Sequence, residues 1–123
     1  MKPIVYPFTA ESEFHTDERC YIIEMVNTDD DPALSIARAR VEPGVSTCWH
    51  RLRGISERYV ILQGRGRVEL GDDFSRTVGP GDAVMIPPLC RQRICNKGAE
   101  DLVFLAICSP RFVPQAYEGL EEA

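Results

Sequence analysis

Long apolar runs, histidines and paired cysteines are all scarce in this 123-residue chain, and each shortage removes a class of protein. No stretch approaches the ~20 apolar residues of a membrane-spanning helix. The N-terminal MKPIVYPFTAESEF also lacks the hydrophobic region of a secretory signal. A cytoplasmic protein with no membrane partner is expected. The five cysteines (Cys20, Cys48, Cys90, Cys95 and Cys108) are odd in number and contain no Cys-x-x-Cys pair. Reduced, mostly buried thiols are therefore expected in place of a disulfide framework or a zinc or redox pair. A basic excess is missing too. The net charge of −5 argues against a nucleic-acid partner, because phosphate affinity is built from an excess of cations.

What is present is β-sheet patterning. Segments of four to nine residues rich in β-branched and aromatic side chains recur without a convincing helical face. Strands are predicted at Arg19–Asn27, Leu34–Val41, Ser46–Arg51, Arg58–Leu62, Gly66–Leu70, Phe74–Val78, Ala83–Ile86, Gln92–Asn96 and Leu102–Cys108. Turn signals such as Glu-Pro-Gly at 42–44, Gly-Asp-Asp at 71–73 and Gly-Pro-Gly-Asp at 79–82 separate them. Short, evenly spaced strands imply an all-β sandwich or barrel. The length suits one domain, divided into an N-terminal arm 1–32, a barrel core of about 33–109 and a tail 110–123. A short helix is expected near Pro114–Leu120, and a homodimer is expected from the arm, which would cover an edge strand.

The chemistry concentrates between Gly44 and Asn96. Gly44, His50, Glu57 and Gly64 stand at the spacing of the first motif of the cupin family (Gly, five residues, His-x-His, three or four residues, Glu, six residues, Gly), with Leu52 in place of the second histidine. Gly81, Pro87 and Asn96 match the second motif, where Leu89 replaces a glycine and Gln92 a histidine. The chain thus resembles a small single-domain cupin. The resemblance implies a double-stranded β-helix, or jelly-roll barrel, with a divalent metal such as iron, manganese, nickel or zinc held inside by three imidazoles and a carboxylate.

Period-two alternation aims His50 and position 52 into the barrel together. The inward set here is His50, Leu52, Glu57 and Gln92, which supplies one imidazole, one carboxylate and one amide oxygen. His50, Glu57 and Gln92 are the candidate metal ligands. Losing two imidazoles should leave at most a weak site. His15, the other histidine, lies in the arm and would reach the barrel only by unusual folding or from a partner subunit. Cys48 shares strand parity with His50, and Cys90 with Gln92, but both read more simply as small buried hydrophobes. His50 and Glu57 are the candidate proton-handling pair, because a carboxylate aimed inward needs a partner. His50, Leu52, Glu57, Tyr59, Met85 and Gln92 are the candidate lining of a ligand pocket. Arg51, Arg53, Arg91 and Arg93 point outward beside Trp49 as an arginine cluster that should face acidic groups, an anion or a second subunit.

Three functions remain open on these residues. One is a small-molecule-binding cupin. The second is a metal-dependent cupin enzyme of the dioxygenase, isomerase or decarboxylase type. The third is a structural or regulatory dimer whose barrel is only a scaffold.

Overall fold

A computed structural model describes residues 2–121. Eleven strands follow one another: β1 Phe14–His15, β2 Tyr21–Val26, β3 Ser35–Val41, β4 His50–Leu52, β5 Ser56–Gln63, β6 Gly66–Leu70, β7 Phe74–Val78, β8 Ala83–Ile86, β9 Gln92–Asn96, β10 Leu102–Ser109 and β11 Tyr117–Gly119. They form a six-stranded sheet in the order β1-β2-β3-β10-β5-β8 and a five-stranded sheet in the order β11-β4-β9-β6-β7. Their pairings are antiparallel. Two antiparallel sheets make an all-β barrel, as the resemblance implies.

Alternation along the strands builds the interior. On β5 the buried side chains are Glu57, Tyr59 and Ile61; on β8 they are Val84 and Ile86; on β9 they include Gln92, Ile94 and Asn96. Val41, Ile61, Val68, Ile94 and Leu102 fill the core. Gly64 has φ +83°, and a Cβ there would lie 2.6 Å from the Asp101 carbonyl oxygen, so only glycine fits this turn. Asn96 is buried and satisfied: its amide nitrogen donates to the carbonyls of Val41 and Glu100, each at 2.9 Å, while its oxygen accepts the Gly98 N–H.

The arm before the barrel is tied down. β2 pairs with β3. The Arg40 guanidinium reaches Glu13 at 2.6 Å and Asp101 at 3.2 Å, and stacks over the Tyr21 ring.

The tail departs from expectation. Pro114–Ala116 form a single 3-10 turn, and Tyr117–Gly119 continue as a strand on the edge of β4. A helix nucleus is costly in so short a segment, whereas β4 offers an edge of unpaired backbone groups, so pairing prevails. Residues 46–49 are likewise less regular than predicted: Ser46 bridges Cys95 alone, and the strand proper starts at His50.

Candidate functional site

A cavity of about 210 Å³ opens inside the barrel between the arm and the strands β4, β5 and β10. At about 30 Å³ for each water of the liquid, it has room for roughly seven waters or a small organic molecule. His50, Leu52, Glu57 and Tyr59 line it. Gln92 does not, although it is buried directly behind: the Tyr59 hydroxyl donates to its amide oxygen at 2.6 Å.

Met85, expected in the pocket lining, does not line the cavity. It points away from the cavity and is 55% exposed, because β8 buries Val84 and Ile86 and turns the residue between them outward. It borders a separate surface groove with Phe74 and Pro87. His15 is exposed, packs edge-on against Tyr21 and does not line the cavity. Cys48 also faces away, its sulfur accepting two bonds from the Arg19 guanidinium at 3.0 and 3.2 Å; the irregular backbone before β4 breaks its parity with His50.

His50 is held in a defined pose. Its Nδ1 lies 2.9 Å from the Cys48 carbonyl oxygen, which fixes that nitrogen as the donor. Its ring stacks on Tyr117 with centroids 5.1 Å apart, and Nε2 faces Glu18 at 4.0 Å. Glu57 is buried, and its Oε1 has no hydrogen-bond partner. Burial pushes its carboxyl up to about 7; His50 and hydrogen bonds from Gln92 and Cys108 pull it down, while Glu18 pushes it further up. Burial also raises the Glu18 carboxyl, against the pull of His50 and Tyr117. The Cys20 thiol, buried at the same cavity, is pushed up to about 12.

Glu18 and Tyr117 stand beside His50 at the cavity, which the sequence did not signal. They lie 32 residues before and 67 residues after His50, outside either motif, and only the fold brings them together. The arginine cluster is partly neutralised within the chain. Arg51 and Arg53 share the Glu118 carboxylate at 2.8 and 2.9 Å, Arg93 pairs with Glu69, and both Arg91 and Arg93 stack on Trp49.

The donors do not fit the metal cage that the barrel type implies. Leu52 is apolar, the Gln92 oxygen is engaged by Tyr59, and among the described residues no three His, Cys, Asp or Glu side chains converge as a metal-holding group.

Comparison with known proteins agrees with this architecture. The family model described as "Cupin domain" matches residues 37–108. An uncharacterized protein of Methanocaldococcus jannaschii, MJ1618, is 36% identical over 87 residues, covering 71% of this chain and 69% of its own. This chain therefore belongs to the cupin domain family. Among solved structures, the nucleoside dehydratase Pac13, described from Streptomyces, superposes with a TM-score of 0.77 at 18% identity, covering 96% of this chain and 92% of that one. KdgF from Halomonas sp. superposes with a TM-score of 0.72 at 20% identity, covering 81% and 88%. At such identities the likeness is one of fold.

Proposed function

We propose that this cupin binds a small organic molecule in the barrel cavity and that Glu57 and His50 exchange protons with it. The observation that carries the reading is Glu57, a buried carboxyl on the wall of a cavity, whose Oε1 has no hydrogen-bond donor. A buried polar atom left unsatisfied costs about 1–3 kcal/mol, so a hydroxyl or amine that donates to this carboxyl is favoured there. With its carboxyl at about 7, Glu57 is populated in both protonation states near neutrality, the condition for general acid and base work. His50 presents Nε2 from another wall, its other nitrogen engaged by Cys48. Support comes also from Pac13, where the same fold hosts a nucleoside dehydratase.

The experiment is a thermal-shift screen of the full chain against a metabolite and fragment panel that includes uridine, run beside elemental analysis and titration with iron(II), manganese, nickel and zinc. A ligand that binds only the folded form raises the melting temperature. The reading expects organic ligands that stabilise the protein and lose roughly tenfold in affinity in Glu57→Gln. Near-stoichiometric metal, lost in His50→Ala, would instead favour the metal-dependent enzyme.

The homodimer and the cytoplasmic location are part of the same proposal. Ile4, Val5 and Phe8 are exposed, Val5 at 86%, which suits coverage by a second copy. The five cysteines are free, which suits a reducing compartment. Analytical ultracentrifugation tests the first point; a monomer at micromolar concentration would refute it.

A further inference from the structure

The cavity wall has a charge of one sign. Three carboxylates line it, Glu57 in the interior, Glu18 beside His50 and the exposed Glu24. No lysine or arginine lines it among the described residues, although the chain carries 14 of them. His50 is the one imidazole on this wall among the described residues, and burial leaves Glu57 only partly ionised near neutrality. The remaining wall is aliphatic and aromatic, with Phe104, Phe112 and Tyr117 among its rings.

Carboxylates held away from water without cations are unfavourable unless a positive group joins them or they take up protons. Aromatic faces attract cations through the ring quadrupole. An anionic ligand would meet carboxylates here with no guanidinium or ammonium to receive it, whereas sites for carboxylate or phosphate are built from such groups. A neutral hydroxyl compound could donate to the Glu57 carboxyl but would bring no charge to offset it once ionised. A protonated amine does both: it donates to the carboxylate and supplies the opposite charge.

We infer that the molecule accepted by this cavity carries a primary or secondary ammonium group, which donates to the Glu57 carboxylate and is shared with Glu18, its hydrocarbon part lying against the aromatic wall. The inference rests on the small-molecule reading above and specifies its substrate class. Organic acids and phosphate esters are excluded by the same charge.

The test uses three size-matched probes on the full chain at pH 7.5: cyclohexylmethylamine, cyclohexylmethanol and cyclohexanecarboxylate, each followed by thermal shift and calorimetric titration. The amine is expected to raise the melting temperature and to bind roughly ten- to a hundredfold more tightly than the alcohol, the worth of a charge-assisted hydrogen bond. The carboxylate is expected to give no shift. Glu57→Gln and Glu18→Gln, checked for native circular dichroism, should each shrink the advantage of the amine over the alcohol. Glu18→Gln alone serves if the other variant does not fold, since Glu18 lies outside the strands. An alcohol that binds as well as the amine, a carboxylate that binds best, or an amine advantage surviving both substitutions would overturn the inference. If other fragments bind and the amine does not, the charge assignment fails while the small-molecule reading stands. If nothing in either panel binds, both fall.

Discussion

Strand β5 runs through two unlike environments. At Ile61 it meets Val41, Val68, Ile94 and Leu102, all with 1% exposure or less, in a dry and filled interior. Four residues earlier, at Glu57, whose own Oε1 is unsatisfied, it meets a hollow with two further carboxyl groups and an imidazole. The same alternation places both side chains inward, so backbone geometry does not separate the two regions. What separates them is the neighbouring material: branched aliphatic residues from β6, β9 and β10 close one end, while short side chains such as Ala37, Ala39 and Ala106 leave the other open. The filled end supplies stability, and the hollow end holds groups whose burial consumes part of it.

The largest effect should come from breaking the filled end. Leu102→Ala is expected to lower unfolding free energy by about 2–5 kcal/mol in urea titration, through lost burial and an unfilled void. A loss under 1 kcal/mol would mean that this region is as loosely packed as the other.

At the hollow end, Glu57→Gln is expected to act in the opposite direction above neutrality. A carboxyl raised to about 7 in the folded state from 4.5 keeps its proton in the fold while the unfolded chain loses it. Its contribution to stability is therefore fully present below pH 4.5 and is lost as pH rises through 7. The full difference is on the order of 3 kcal/mol. Glu57→Gln should remove this slope and be the more stable protein at pH 8; identical pH profiles for variant and parent would contradict it.

Between the two regions stands the Tyr59 hydroxyl, bonded to Gln92. Tyr59→Phe strands the buried amide oxygen and is expected to cost about 1–3 kcal/mol, measured by thermal and chemical unfolding.

The smallest effect belongs to the rim. Leu89 has φ +67°, a left-handed backbone costing a side chain roughly 1–2 kcal/mol, and its side chain is largely exposed. Leu89→Gly relieves that strain but gains about 0.5–1 kcal/mol of unfolded-state entropy. A net stabilisation of about 0.5 kcal/mol is expected in the same assays.

The family's second motif has glycine where Leu89 stands, and Leu89 takes a positive φ, the conformation that glycine adopts most readily. Much else was legible in the same way. The strands Gly66–Leu70, Phe74–Val78, Ala83–Ile86 and Gln92–Asn96 lie where alternation and turn residues put them. Parity aimed Glu57, Tyr59 and Gln92 inward. The errors came where local pattern meets tertiary choice. Met85 was assigned to the pocket, but β8 turns it to solvent. The tail was read as helix, but the open edge of β4 captured it. The arginine cluster does face acidic groups, one of the expectations for it, but Glu118 could not be named beforehand because it is remote in sequence and adjacent only after β11 docks. Glu18 and Tyr117 carry no motif at all; a carboxylate in a turn and a tyrosine near a terminus become informative only when the fold closes both onto His50.

That closure has a consequence for comparing barrels of this kind. The family match spans residues 37–108, which include His50, Glu57 and Gln92 and omit Glu18 and Tyr117. Two of the groups around the imidazole therefore belong to segments flanking the shared scaffold. Val41, Ile61, Val68, Ile94 and Leu102, which fill the other end, all lie inside the match. A comparison confined to the matched barrel therefore sees the imidazole and the buried carboxyl but neither of the two groups that flank the ring from outside it.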